Sequence, residues 1–220
     1  MNVRLLINLW IFLCSLGGSI YGFYRFFRPR KALYLKIITG GVSCLMLSSL
    51  FLVIYLFTQG KLQQDFHVGM IGQMASFLFL FSANFGQMDG LADDRTDAYR
   101  KTRLISFLAP LVIFGLYIVF CLLVNNLALR VSVGLVTIFM LPASYYHFKH
   151  IIIYDVKLGI VRQLRLYNVL GLLYAVCTML QFIGLYADIR PLYIASGIAV
   201  GIVAALILPV LKRGVDKWIM

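Results

Sequence analysis

Residues 104–148 read LISFLAPLVIFGLYIVFCLLVNNLALRVSVGLVTIFMLPASYYHF, two long apolar runs separated by the pair Asn125-Asn126. Each run is close to the roughly 20 residues that a helix needs to cross a hydrocarbon layer about 30 Å thick. Because so short a link leaves the second helix no path except back alongside the first, the two pack as antiparallel neighbours. This stretch therefore predicts a transmembrane helical hairpin.

The composition extends this prediction to the whole chain. Hydrophobic residues make up 62% of the 220 residues and charged residues only 13%, and the charged share is about half that of an ordinary soluble domain. A closed outer-membrane barrel is excluded, because its strands alternate apolar and polar positions, whereas Leu50–Phe57 is almost continuously apolar. We therefore expect an all-α polytopic membrane protein with a single domain over residues 1–220.

Seven apolar stretches of spanning length follow one another, and they predict a bundle of seven transmembrane helices. The predicted spans are Leu5–Tyr24, Leu33–Phe57, Val68–Phe85, Leu104–Val124, Leu127–Phe148, Leu166–Tyr186 and Pro191–Leu211. The patterns Gly18-x-x-x-Gly22 and Gly197-x-x-x-Gly201 indicate that the first helix packs against the seventh, because backbones approach closely where side chains are minimal.

The basic residues are divided unequally between the two sets of connections. Sixteen of the 20 Lys and Arg residues lie in or beside the first, third and fifth connections and the C-terminal tail. Short connections rich in Lys and Arg stay in the cytoplasm, so we expect the N-terminus outside and the C-terminus in the cytoplasm. Compact loops favour a bacterial cytoplasmic (inner) membrane. The net charge of +12 then indicates anionic inner-leaflet headgroups, and not nucleic acid, as its partner.

The segment from Asn84 to Arg103 combines many charges of both signs. Half of the chain's eight acidic residues lie here, and all eight are Asp. On a continuous helix Asp89, Asp93 and Asp97 would stand one turn apart and repel one another unless a cation offset their charge. Oxygen ligands of this kind suit Mg²⁺, so these three are the candidate metal ligands. The candidate residues for binding a phosphate or a cytoplasmic protein partner are Arg95, Arg100, Lys101 and Arg103.

Two short patterns in this segment resemble known motifs. Asp93-Asp94-x-x-Asp97 resembles the aspartate-rich motif of prenyl-diphosphate enzymes, and Asp89-Gly90-Leu91-Ala92 resembles, more weakly, the opening of the CDP-alcohol phosphotransferase signature. Both resemblances together span under twenty residues, and the second aspartate motif that each metal cage requires is missing. Neither family is assigned. A surface loop of mixed charge is the competing interpretation, since Asp97 precedes Lys101 by one helical turn.

Uncharged polar residues within the spans form a further group of candidates. We expect them to hydrogen-bond between helices, at about 1–2 kcal/mol or less each, or to line a pocket for an apolar or weakly polar small ligand. The candidate pocket or helix-packing residues are Gln73, Asn84, Gln87, Asn168 and Gln181.

The end of the fifth span carries Tyr145-Tyr146-His147-Phe148 and then His150. This composition predicts an aromatic belt at the membrane interface, and His147 and His150 lack a third metal ligand. Basic and apolar residues interleaved from Lys149 to Arg165 predict an amphipathic helix on the inner leaflet.

Three functions fit these observations. A seven-helix binding, sensory or accessory module, acting through charged cytoplasmic loops, is favoured because the chain offers no catalytic pair; we expect no catalytic residues and no cofactor. The second is a small transporter built from two three-helix units. The third is a Mg-dependent enzyme acting on lipid or polyprenyl diphosphates through Asp89–Asp97.

Overall fold

The structure is a computed structural model that describes residues 3–28, 31–61, 65–90, 93, 96–153 and 160–219. Over these ranges the chain is helical and contains no strand. Seven helices are long and apolar enough to cross a membrane. They are α1 (Val3–Phe26), α2 (Leu33–Gln59), α3 (Val68–Ala83, extended by a π-helix at Asn84–Asp89), α4 (Arg100–Leu123, interrupted at Phe107), α5 (Leu127–Ile152), α6 (Arg165–Tyr186) and α7 (Arg190–Ile219).

The prediction of seven long apolar helices is confirmed, and the largest difference in bounds is at the C-terminal end of α7. Helix α7 continues to Ile219 and α5 to Ile152, since the first polar residues after an apolar run need not end a helix. Lys149 is therefore part of α5 and is only 3% exposed, so the prediction that it starts an amphipathic surface helix is wrong. Residues 154–159 of that predicted helix lie outside the described ranges, and 160–163 form a single helical turn.

Six helices form a closed ring in the order α1, α2, α3, α5, α6, α7, each packed on the next, with α7 returning to α1. Helix α4 lies outside this ring, against α5 and α6. Of the seven helices, α4 has the smallest share of buried residues in its apolar segment, 22% compared with 50% for α6 and α7. Any polar site enclosed by the bundle is therefore built from the six ring helices.

Glycines allow α1 and α7 to pack closely. A Cβ at Gly18 would lie 2.7 Å from the carbonyl oxygen of Ala204, and one at Gly201 would lie 2.3 Å from Nε1 of Trp10. Real Cβ atoms essentially never lie within 3.0 Å of another heavy atom, so a side chain at Gly18 would push the two backbones apart, and one at Gly201 would displace the Trp10 ring. The predicted packing of the first helix on the seventh is confirmed.

These two helices run parallel, which places the chain ends at opposite ends of the bundle. Near their first turns Nδ2 of Asn8 donates to the hydroxyl of Tyr193 at 3.1 Å, and near their last turns a Cβ at Gly22 would meet Leu208. We call the end that carries the C-terminus and the charge-rich connections the basic end. The end that carries the N-terminus and the three short connections is the opposite end.

The middle of the bundle is packed with large side chains. The rings of Phe77 (α3) and Tyr174 (α6) stack with centroids 4.6 Å apart, and both residues are at most 1% exposed. Met140 and Met179 fill the adjoining space between α5 and α6, with no exposed surface. This layer separates the polar groups of the two ends.

Candidate functional site

A buried cluster of charges lies at the basic end, and we call Asp89, Asp93, Arg103 and Lys149 the ionic cluster. The ammonium Nζ of Lys149 lies 2.5 Å from Oδ1 of Asp89 and 2.7 Å from Oδ2 of Asp93. Arg103 Nη1 contacts Oδ1 of Asp93 at 3.1 Å. Since two cations face two carboxylates, the cluster is neutral overall, which is the condition for burying charges at acceptable cost.

The cluster reaches from the core to the surface. The side chains of Asp93 and Lys149 are 1% and 3% exposed, whereas that of Arg103 is 28% exposed. Arg103 also donates from Nη2 to the carbonyl oxygen of Thr96 at 2.8 Å. Contacts within the cluster therefore join the buried end of α5 to Thr96 in the connection between α3 and α4.

Asp89 is held in its ionised form. Burial raises its pKa, but the hydrogen bonds and positive charges of His150 and Lys149 outweigh burial, and the net pKa of this carboxyl lies below its usual value. Nε2 of His150 lies 3.5 Å from Oδ1 of Asp89. The π-helix at the end of α3 positions this carboxylate, in keeping with the frequent occurrence of π-turns at functional sites.

A second polar group lies one helical turn deeper. Nδ1 of His147 lies 3.0 Å from both Nδ2 of Asn84 and Oδ1 of Asn168, and Asn84 also donates to Oδ1 of Asn168 at 3.2 Å. All three side chains are at most 1% exposed. Gly171 makes room for the imidazole, because a Cβ there would lie 2.2 Å from Cε1 of His147. Helices α3, α5 and α6 are thus joined by one hydrogen-bonded triad.

The opposite half of the bundle contains a cavity of about 30 Å³ lined by both polar and apolar side chains. Three buried polar atoms of its lining residues have no hydrogen-bond partner: Nδ1 of His67, Oε1 of Gln73 and Oγ1 of Thr178. These residues are at most 9% exposed. An unpaired buried polar atom costs about 1–3 kcal/mol, so three around one cavity point to an occupant that hydrogen-bonds to them. The other polar residues lining it are Asn8, Ser48, Ser49, Gln181, Tyr186 and Tyr193.

The cavity presents neutral groups only. His67 lies just before α3, and burial lowers its pKa to about 4, so its imidazole is uncharged at physiological pH. No Asp, Lys or Arg lines the cavity. The available chemistry is that of amides, hydroxyls and a neutral imidazole, which suits an uncharged polar group.

A larger cleft of about 380 Å³ lies beside the cavity at the surface of the opposite end. Leu185 and Tyr186 line both spaces, so these two side chains form the wall between them. Arg4 and Asp188, 3.6 Å apart, are at the rim. Asp188 has a φ of 56°, a left-handed conformation that few non-glycine residues adopt.

The polar residues predicted from the sequence divide between these sites. Gln73 and Gln181 line the cavity, whereas Asn84 and Asn168 belong to the triad. The side chain of Gln87 lies outside the described part of the structure.

His147, Lys149 and His150 were not predicted as site residues. The aromatic-belt prediction is wrong for the two histidines, which are at most 1% exposed. The sequence offers one signal for this site, which is that His147, Lys149 and His150 fall within four positions of one helix. The same pattern also fits a helix end exposed to water, so it does not show that these side chains are buried.

The charged residues that were predicted as site residues do not lie together in the structure. Arg103 is in the ionic cluster, Arg100 and Lys101 are exposed, and Arg95 lies outside the described residues. Asp89 and Asp93 come together around Lys149, but Asp97 is exposed at the start of a 3-10 turn over Asp97–Tyr99. The expectation of one helix carrying all three carboxylates is wrong for Asp97, because Thr96 is extended and a separate 3-10 turn begins at Asp97. Asp89 and Asp93 remain one turn apart, since the backbone N–H of Asp93 donates to the carbonyl oxygen of Asp89 at 2.9 Å.

The ammonium of Lys149 occupies the position between Asp89 and Asp93 in which a bound metal ion was expected. Among the described residues no group of three or more His, Cys, Asp or Glu side chains is arranged to hold a metal ion. Thus Lys149 already does for these carboxylates what a divalent cation would do.

No protein-family model, curated protein or solved structure matches this chain. Over its described residues the chain is helical, with seven helices of spanning length, a buried ionic cluster at one end and a cavity towards the other.

Proposed function

We propose that the protein is a ligand-binding sensory module of the bacterial inner membrane, with the N-terminus outside and the C-terminus in the cytoplasm. The cavity receives a small uncharged polar group from the outer side, and the ionic cluster passes its occupancy to the cytoplasmic connections. The observation that carries this proposal is the set of three unpartnered buried polar atoms around one cavity beside an open cleft.

The sizes of the two spaces limit the ligand. A cavity of about 30 Å³ holds one or two water molecules or a hydroxyl or amide end group. The adjoining cleft of about 380 Å³ has the size of a small-molecule site. We infer a molecule whose uncharged polar end enters the cavity past Tyr186 while the remainder stays in the cleft.

Helices α3 and α6 connect the cavity to the ionic cluster. Helix α3 carries Gln73 at the cavity and Asn84 in the triad, and α6 carries Thr178 and Asn168 at the same two levels. Between them, the hydroxyl of Tyr174 donates to Ser76 at 3.3 Å. A ligand that draws α3 and α6 together at the cavity shifts the triad and the π-turn that holds Asp89. The size of this shift is limited by the difference in the ligand's affinity for the two arrangements of these helices.

The output surface is the start of α4. Arg100 and Lys101 are exposed beside the internally paired Arg103, so they are available to an acidic cytoplasmic partner. Arg95 belongs to the same set by sequence. The proposed orientation rests on the excess of Lys and Arg at the basic end.

A cysteine at the cavity tests access to it. In a background with Cys14, Cys44, Cys121 and Cys177 replaced, Thr178→Cys is expected to react with a small membrane-impermeant methanethiosulfonate added outside, and not with one added to inverted vesicles. Thr137→Cys is the matched control, because Thr137 is equally buried but does not line the cavity. Failure of Thr178→Cys to react from either side would contradict the proposed binding site.

A transporter is the second candidate, and one observation favours it. The cavity lies between the first three helices, which contribute Asn8, Ser48 and Gln73, and the last two, which contribute Thr178 and Tyr193. Two three-helix units would place a substrate there. However, the stacked Phe77 and Tyr174 close the path to the basic end. Reaction of Thr178→Cys from both sides of the membrane would establish alternating access and replace the sensory proposal.

A further inference from the structure

A second cavity, of about 120 Å³, lies at the basic end where α1, α2 and α7 meet. Four cationic residues surround it, from the end of α1, the α1–α2 connection and the last part of α7, and one carboxylate accompanies them. The residues that line it are Arg25, Phe26, Arg28, Lys31, Leu35, Lys212, Val215 and Asp216. It shares no lining residue with the ligand cavity or the ionic cluster.

The positive charge of this pocket is not balanced. Lys212 is paired with Asp216, one turn further along α7. Arg25, Arg28 and Lys31 take part in none of the salt bridges between described residues. Three like charges around one small space repel one another, and an anion with several oxygen acceptors would remove that repulsion and supply hydrogen-bond partners.

Aromatic contacts help to fix the two arginines. The guanidinium carbons of Arg28 and Arg25 lie 5.1 and 6.0 Å from the centroid of the Tyr24 ring, within the range of a cation–π interaction. The backbone amide of Lys31 donates to the carbonyl of Arg28 at 3.4 Å, which turns the connection back towards α2. The cationic groups are therefore held near one another before any anion arrives.

The surroundings distinguish a lipid from a free anion. Phe26 and Leu35, which are 3% and 4% exposed, form an apolar floor. On the outer surface of α1 Ile20 and Phe23 are 61% and 49% exposed, and Phe27, just after the helix, is 49% exposed. A free phosphate would not use this apolar surface, whereas the acyl chain of a phospholipid would lie along it.

We propose that this pocket binds the phosphate of an anionic phospholipid, with Arg25, Arg28 and Lys31 around the headgroup and the acyl chain along the lipid-facing side of α1. Anionic lipids attract basic segments by about 1 kcal/mol per Lys or Arg near the membrane surface. This site is independent of the proposed sensory function.

The test compares the thermal stability of the full chain in a neutral detergent with added phosphatidylglycerol, phosphatidylcholine or inorganic phosphate. Phosphatidylglycerol is expected to raise the melting temperature most. In Arg28→Gln/Lys31→Gln the concentration needed for half the effect should rise by roughly 10–30-fold, as expected for two lost charges. Arg100→Gln/Lys101→Gln removes the same charge from exposed positions at the same end and should leave it unchanged.

Three outcomes would overturn the proposal: equal weakening in both double variants, protection by phosphatidylcholine equal to that by phosphatidylglycerol, or full protection by inorganic phosphate alone. The last result would assign the site to a free anion. The exchange Arg28→Lys/Lys31→Arg keeps both charges and should keep the protection, which separates loss of binding from loss of folding.

Discussion

Among single side chains, Lys149 is the one that joins the two carboxylates of the ionic cluster, and it is the only Lys or Arg in contact with Asp89 among the salt bridges between described residues. Its ammonium contacts both Asp89 and Asp93 within 2.7 Å. Removing one member of a buried ion pair leaves an uncompensated charge, which costs far more than the net contribution of the intact pair.

The first prediction concerns this lysine. Lys149→Met should lower the free energy of unfolding by about 3–5 kcal/mol, measured by thermal or chemical unfolding in detergent. Adding Asp89→Asn to the same variant should recover part of the loss, because Asp89 is the carboxylate left without a Lys or Arg, whereas Asp93 keeps Arg103. Lys101→Met, at an exposed position, should change stability by less than about 0.5 kcal/mol. Equal effects at the two lysines would refute the buried cluster.

His67 gives a prediction about pH. Its pKa falls from 6.5 to about 4 in the folded protein because it is buried, so between these values the unfolded chain binds a proton that the folded chain does not. The stability that His67 contributes is therefore fully present above about pH 6.5 and is lost as the pH falls towards 4. At about 1.4 kcal/mol per pH unit, the loss amounts to roughly 3 kcal/mol.

Melting curves of the wild type and His67→Gln between pH 7 and pH 4.5 measure this difference. The wild type should lose more stability on acidification than the variant, since glutamine does not titrate. Parallel curves for the two proteins would show that His67 is not buried in its neutral form.

At the level of helices, the contact between α5 and α6 depends on a missing side chain. A Cβ at Gly171 would lie 2.2–2.6 Å from three atoms of the His147 ring, so Gly171→Ala should force the imidazole out of the triad. Overpacking of this kind costs about 1–3 kcal/mol.

Gly115→Ala is the matched control for Gly171→Ala. Gly115 also lies within a helix, but a Cβ there has nothing within 4 Å, so no loss of stability is expected. The two variants are compared by unfolding in the same detergent. If Gly171→Ala unfolds at the same temperature as Gly115→Ala, the close approach of α5 and α6 is wrong.

Helix positions were predictable from the sequence, and helix faces were not. Apolar length is set by membrane thickness, so Leu127–Phe148 stood out. A helix in lipid is apolar on its outer surface as well as its inner one, so periodicity does not reveal that His147 points inward. The glycine patterns of α1 and α7 were informative because a missing Cβ allows two backbones to approach closely in lipid as well as in water. The π-helix at Asn84–Asp89 has no sequence signature. It ends at Asp89, and the backbone N–H of Asp93 still donates to the carbonyl oxygen of Asp89 at 2.9 Å, so the spacing of one turn between these two residues is as predicted.

For the whole molecule, the parallel packing of α1 and α7 places the two chain ends at opposite ends of the bundle. Together with the excess of basic residues at one end, this predicts which end faces the cytoplasm. A fluorescent protein fused to the C-terminus should fluoresce in the cytoplasm, and alkaline phosphatase inserted after Gly60 should be active outside. If both reporters locate to the same compartment, the proposed orientation and the roles assigned to the two ends are wrong.

The π-turn at the end of α3 also affects how the gene can change. A π-turn closes over one residue more than an α-turn, so loss of a single codon between Asn84 and Asp89 would convert it to an α-turn and leave the aspartate on the same face. The same loss within Val68–Ala83, where each residue advances the helix by about 100°, would rotate the aspartate away from its lysine. Beside Gly60, in an exposed turn, it would only shorten a connection. Length variation among descendants of this gene should therefore collect in the short connections and in this one wide turn, and avoid the regular part of α3.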